Sequence, residues 1–193
     1  MVELMPTPPN TSQPSPEAEA VFRRWLAHLG EEFTRHTGCD RRAEIVRDEL
    51  HMLLLGKPHG GRTTTTLDTD LPLDVAKENF DPRNVSLPGE MPSRGCDTLD
   101  KDRFAPIKPL IWFWQQFDRS HLGLNLWLGF RFRAILGAHI FHSMGKDIYI
   151  YPGFTFLRGY NLSLADGTRI EPDIFIDDRE PVSLSGCVKE NRS

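Results

Sequence analysis

Apolar residues along this chain follow two different periods. Between Pro16 and Gly56 they recur at helical spacing: Ala20, Phe22, Trp25, Leu26 and Leu29 before Gly30, then Ile45, Val46, Leu50, Leu53 and Leu54 before Gly56. Side chains three and four apart share a helix face, and Pro or Gly at the ends are start and stop signals. Residues 16–56 therefore predict a helical hairpin. Residues 57–105 lack any period and carry turn signals at Asp81-Pro82, Leu87-Pro88-Gly89 and Met91-Pro92, which predicts a long irregular connection. Residues 106–136 hold two amphipathic stretches, PIKPLIWFWQQF and NLWLGFRFRAIL. Their aromatic stripes predict core or subunit-interface helices rather than a membrane anchor, because few Arg and Lys accompany them.

From residue 137 onward the period changes. An apolar residue recurs on a six-residue lattice at Met144, Ile150 and Phe156, then at Leu164, Ile170 and Ile176, then at Leu184. A longer period of 20 residues runs through Met144, Leu164 and Leu184, with Pro152 matching Pro172 and Ser163 matching Ser183. Self-similarity at a fixed period marks a solenoid, in which each turn covers the apolar face of its neighbour. Three hexads make one triangular turn of parallel strands, each giving a short strand and a corner. The leading apolar residues point inward, and a second small or β-branched position, four after each turn start, carries Ile148, Thr168 and Val188. Gly145, Gly153, Ala165 and Gly186 fall at or near corners, where small residues let the backbone bend. A 20-residue turn leaves two residues beyond three hexads, which predicts protruding corners around 161–163 and 181–183. The fold class is thus mixed: an N-terminal α-helical region followed by a short parallel β-coil of hexapeptide repeats over 137–193.

Composition narrows the function classes. The 193 residues carry 23 Lys+Arg against 27 Asp+Glu, a net charge of −4, where a dedicated nucleic-acid binder carries a basic excess. Three widely spaced cysteines, Cys39, Cys96 and Cys187, form neither a zinc ribbon nor a disulfide framework and suit a reducing, cytoplasmic setting. The first 15 residues read as a disordered Pro/Ser/Thr arm without the apolar core of a signal peptide. The most apolar region, Phe104–Phe141, is interrupted by Lys108, Asp118, Arg119, Arg131 and Arg133, too many charges for a spanning helix.

The stretch FRAILGAHIFHSMGKDIYIYPGFTFLRGYNLSLADGTRIEPDIFIDDREPVSLSGCV resembles the hexapeptide-repeat acyltransferases, above all the maltose- and galactoside-type O-acetyltransferases. The carriers are Leu136-Gly137-Ala138, Arg158-Gly159-Tyr160-Asn161 and Ile176-Asp177-Asp178. The likeness covers roughly residues 125–190. It implies a left-handed parallel β-helix, a homotrimer with sites between neighbouring coils, and transfer of an acetyl group from acetyl-CoA to a sugar or polysaccharide hydroxyl. No bound cofactor is implied. In the family a histidine is the general base, a task that suits an imidazole near neutral pH. That histidine belongs to a turn beyond the one starting at Leu184, so no catalytic residue carries over. The resemblance therefore implies a shortened member, inactive by itself, with a non-catalytic scaffold or oligomerisation module as the alternative. Where the family reads Ile-Asn-x-Asn this chain reads Ile170-Glu171-Pro172-Asp173. Glu171 and Asp173, with Asp177 and Asp178 at the next corner, are the acceptor-side candidates, although a corner residue is ordinarily solvated.

Two other signals are weaker. Gly56-Lys57-Pro58-His59-Gly60-Gly61-Arg62-Thr63 nearly matches a phosphate-binding loop, but Arg62 replaces its Lys and no helix start follows. His139 and His142 could share a metal only on a helix, and no His follows His142, so no metal site is expected.

Overall fold

The computed structural model describes residues 11–59, 71–91 and 99–189, the side chains of 71–73 excepted. The first ten residues of the expected arm, and residues 60–63 of the loop resembling a phosphate site, lie outside the described residues.

Helix α1 (Pro16–Arg35) starts as its sequence predicts, with Ser15 Oγ accepting the Ala18 N–H at 3.3 Å and Pro16 in the first turn. It does not stop at Gly30. A mid-helix glycine costs about 1 kcal/mol, and the helix runs through it because Leu26, Leu29 and Phe33 all bury on one face. Helix α2 (Cys39–Leu55) ends at Gly56, whose φ of 68° lets its N–H reach the Met52 carbonyl. The expected irregular connection contains structure instead: α3 (Leu71–Asn79), single turns of tight helix at Pro82–Asn84 and Pro88–Glu90, and α4 (Lys101–Phe104). The prolines taken as breakers open those turns, since Pro fits a helical first position that needs no N–H.

Helix α5 (Lys108–Arg119) is amphipathic as expected and buries Leu110, Ile111, Phe113, Trp114 and Phe117. Helix α6 (Leu126–Ile140) differs from its expected amphipathic form, since 11 of its 15 residues are buried. An all-round apolar helix belongs inside, and α6 is enclosed by α1, by α5 and by the first strands that follow it. The aromatic stripes are core. Phe117 stacks on Phe132 at 3.9 Å, Trp25 lies flat on Phe132 at 5.7 Å, and Phe113 meets Phe132 edge-on at 4.9 Å. Trp114 reaches across to Phe154 and Phe156 and joins α5 to the strands.

Eight short strands follow: β1 (Ser143–Met144), β2 (Tyr149–Ile150), β3 (Thr155–Phe156), β4 (Leu162–Leu164), β5 (Arg169–Ile170), β6 (Phe175–Ile176), β7 (Val182–Leu184) and β8 (Cys187–Val188). Strands β1 to β5 each pair in parallel with the strand three further on, in sheets β1-β4-β7, β2-β5-β8 and β3-β6. The chain therefore winds past three sheets in turn. Met144 faces Leu164 and Leu164 faces Leu184, which is the 20-residue register read from the lattice. Ile150, Phe156, Leu164 and Ile170 stack inside, all at most 4 % exposed.

Two details depart from the expectation. Val188 does not stack on Thr168; it pairs with Ile170 at an offset of 18, because only four residues separate Leu184 from Val188 where six separate Leu164 from Ile170. Gly186, at φ 63°, closes this tighter corner. Secondly, the extra residues do not protrude at 161–163 or 181–183, where Leu162–Leu164 and Val182–Leu184 are paired strands. At the first corner the chain turns inward, with Arg158 and Tyr160 each 6 % exposed and Gly159 (φ 74°) packed so closely on Ile140 that a Cβ would collide with it, whereas Arg179, Glu180 and Pro181 at the second corner are exposed.

The aromatic core makes a direct prediction. Phe132→Ala should lower the unfolding free energy by about 3–5 kcal/mol in denaturant titration, whereas Val21→Ala, at a site 66 % exposed, should stay within about 0.5 kcal/mol of the parent.

Candidate functional site

The candidate acceptor-side carboxylates are not brought together. Asp178 turns inward and is fully buried. Its Oδ1 accepts the backbone N–H groups of Leu157 at 2.8 Å and Arg158 at 2.9 Å, and its Oδ2 accepts that of Gly159 at 2.5 Å. A carboxylate with three backbone donors is a strong, charge-assisted tie, so Asp178 staples one turn of the coil to the turn before it. The expected solvation of this corner fails at Asp178 for that reason. Asp177, one residue earlier, is exposed and pairs with Arg179 at 2.5 Å, a partner that holds its carboxyl below the usual range. Glu171 pairs with Arg169 at 3.4 Å and accepts the Cys187 thiol at 3.6 Å. Asp173, in left-handed backbone conformation at φ 58°, folds over Gly153, where a Cβ would clash with its Oδ1.

Asp173 is the one of these four that borders a cleft. There α5 and the tight turn His121–Leu124 lie over the corner after β2, leaving an open groove of about 750 Å³. Its walls are largely apolar, from Trp114, Leu124, Leu126, Pro152 and Pro172, and its polar groups are Gln115, Asp118, Arg119, Thr155 and Asp173. Few polar groups converging in an apolar concavity is the usual composition of a small-molecule site.

Asp118 forms the floor, with its side chain 8 % exposed. In the sequence it stands only as a charge interrupting an apolar run. Its Oδ1 accepts Nη2 of Arg133 at 2.6 Å and Nε at 3.0 Å, and its Oδ2 accepts the Gly153 N–H at 3.2 Å. Burial pushes the Asp118 carboxyl upward, and the opposing pull of Arg133 offsets this only in part. Arg133 is wholly buried and spends its remaining donors on the carbonyls of Ile150 at 3.1 Å and Gly123 at 3.3 Å. Gly129 leaves room for it, since a Cβ there would come within 2.6 Å of Nη1. Engaged on both oxygens, Asp118 holds a fixed position in the floor of the cleft.

No cluster of three or more His, Cys, Asp or Glu able to hold a metal occurs among the described residues. His139 is half-buried against Phe33, with its imidazole held below the ordinary value by burial and then by Arg42, while His142 is exposed. No described helix is long and apolar enough to cross a membrane. Compared with protein-family models, with curated proteins and with solved structures, the chain matches none.

Two substitutions separate the roles of these carboxylates. Asp178→Asn sets an amide against three backbone donors and should cost at least about 2 kcal/mol in chemical denaturation. Arg133→Leu leaves Asp118 buried without its partner and should cost about 3–5 kcal/mol. The double variant Arg133→Leu/Asp118→Leu should recover most of that loss, and additive losses would contradict the coupling.

Proposed function

We propose that this chain is an acyl-transfer protein of the hexapeptide-repeat kind, its strands wound into a left-handed parallel β-helix. The observation that supports it most is the 20-residue register running through Met144, Leu164 and Leu184. That rung length coincides with the motifs that resemble O-acetyltransferases. In this proposal acetyl-CoA is the donor, a sugar or polysaccharide hydroxyl the acceptor, and three copies assemble so that neighbouring coils share each site. The acceptor occupies the cleft under α5. Its apolar walls suit the C–H faces of a sugar ring, and Gln115, Arg119 and Asp173 suit hydroxyl groups. No histidine follows His142, and Asp118 is tied to Arg133. In this proposal the general base is not a histidine after His142, and Asp118 serves to shape the cleft.

A second reading, an assembly module without chemistry, has its own support. Phe175 is 57 % exposed on β6, paired in register with Thr155 of the cleft wall, and Leu124 on the cleft rim is 76 % exposed. Large apolar side chains gathered on one face commonly mark a contact surface.

Titration calorimetry with acetyl-CoA and with mono- and oligosaccharides, together with light scattering, decides between them. Acyl transfer predicts a trimer with saturable sugar binding, weakened about tenfold or more, or ~1.4 kcal/mol, by Gln115→Leu or Arg119→Ala. A folded chain that binds neither ligand overturns it. The assembly module predicts an oligomer that binds neither and that Phe175→Ser dissociates.

A further inference from the structure

Away from the coil, the C-terminal end of α2 holds a pair of histidines that the acyl-transfer proposal does not use. His51 is 1 % exposed on α2, and His59 lies in the turn just after it, partly covered. The two rings meet edge-to-face with centroids 5.2 Å apart, and Phe80 closes the other side of His51 at 6.1 Å. His51 Nδ1 lies 2.6 Å from the Lys57 carbonyl. A carbonyl only accepts, so Nδ1 carries a proton, and in the neutral form of the ring Nε2 is the bare nitrogen. Among the described residues, neither His51 Nε2 nor His59 Nδ1 has a hydrogen-bond partner, although both atoms are buried.

The charges around the pair do not favour a second proton. Arg47 and Asp48 on α2 pair with each other at 2.7 Å. Glu78 on α3 accepts Asn84 Nδ2 at 3.1 Å, and Asp81 is bound to Arg83 at 2.6 Å. Each nearby carboxylate is thus already engaged. Burial, then Arg47, then His51 hold the His59 imidazole below its ordinary value, with Asp48 and Glu78 opposing. Lys57 presents its carbonyl, and α5 faces the Phe80 side through Trp112, whose Nε1 donates to the Phe80 carbonyl at 3.3 Å.

We propose that His51 and His59 form an acid-operated latch, closed while both rings are neutral and opened when either takes up a proton. Opening frees the Gly56–His59 turn from α2 and uncovers the side of His51 that His59 covers. Among the described residues, the turn is held to the helix by the Gly56 N–H on Met52 O at 3.0 Å and by the His51 bond to Lys57 O. Segments held by few buried contacts open locally at low cost. The sign follows from linkage. A released imidazole titrates near the ordinary ~6.5, whereas burial holds the closed His59 ring below it. The latch is therefore stable above that value, and its opening grows by up to about tenfold per pH unit for each proton taken up.

Hydrogen exchange on the full chain between about pH 7.5 and pH 5, corrected for the intrinsic pH dependence of exchange, tests this. Amides of residues 53–59 and 78–84 should lose at least about tenfold in protection on acidification, reversibly, while strand amides of the coil hold. His59→Gln should abolish that loss, and His139→Gln, which removes a different depressed imidazole, should leave it in place. Because His51→Gln also cuts the tie to Lys57, the histidine ring signals of the unsubstituted chain provide a measurement free of substitution. Protection that does not change with pH, an undiminished loss in His59→Gln, or a His59 ring titrating at or above the ordinary value would each overturn the latch.

Discussion

The helical region and the strand coil meet over one fully buried cation. Arg133 joins four pieces of chain: its own helix, Asp118 on α5, the carbonyl of Gly123 in the tight turn after α5, and the carbonyl of Ile150 on β2. Asp118 extends the network to the Gly153 N–H at the next corner. Desolvating two charges costs several kcal/mol each, a cost offset only when geometry and hydrogen bonding are complete. Here the partners are satisfied by groups that stand in place only when α5, α6 and the first turn of the coil are docked together. The pair therefore contributes less through net stability than by specifying one arrangement of helices on coil. The cleft is a by-product of that docking, because Asp118 and Gly153 at its floor are the groups the network ties together.

The coil was legible in the sequence because its signal is periodic. Inward residues on a fixed lattice leave a mark that needs no tertiary information, and the register through Met144, Leu164 and Leu184 followed it. What escaped was set by contacts rather than by period. The corner at 157–160 turns inward because Asp178 gathers its N–H groups and because Arg103 donates to the Tyr160 carbonyl at 2.8 Å from a position 57 residues away. Nothing local to 157–160 announces either partner. The same holds for α6, whose Arg131 and Arg133 appear in the sequence only as charges interrupting an apolar region. Arg131 instead lies over the Trp127 ring at 3.9 Å and Arg133 binds Asp118. Buried arginines look like surface in a hydropathy pattern. The clue available was a lone acid inside an aromatic run, Asp118, followed at helical range by basic residues in the next run.

The candidate carboxylates show how one residue type serves two purposes in a repeat structure. Asp166 Oδ1 accepts the Lys146 N–H at 2.7 Å, and Asp178 does the corresponding work at another corner. Both reach back 20 residues to the preceding turn. In a solenoid each turn contacts mainly its neighbours, so such ties add a short-range bond exactly where the strands are too short to supply many. Acids at coil corners are thus poor evidence of chemistry until their backbone donors have been counted. Asp173 and Glu171 remain on the outside, and Asp173 borders the cleft under α5.

The tighter last corner has a geometric consequence. Between Leu184 and Val188 the path is two residues shorter than between Leu164 and Ile170, yet Val188 still pairs with Ile170. Side chains alternate faces with a period of two, so removing an even number preserves which of them point inward. A single deletion would have turned Val188 outward and placed the neighbouring Cys187 in the interior. Corners of this coil can therefore absorb insertions and deletions in pairs without scrambling the interior, while the strands between them have no such freedom. Variation in length along such a chain should be quantised, and parity is the quantity its evolution must conserve.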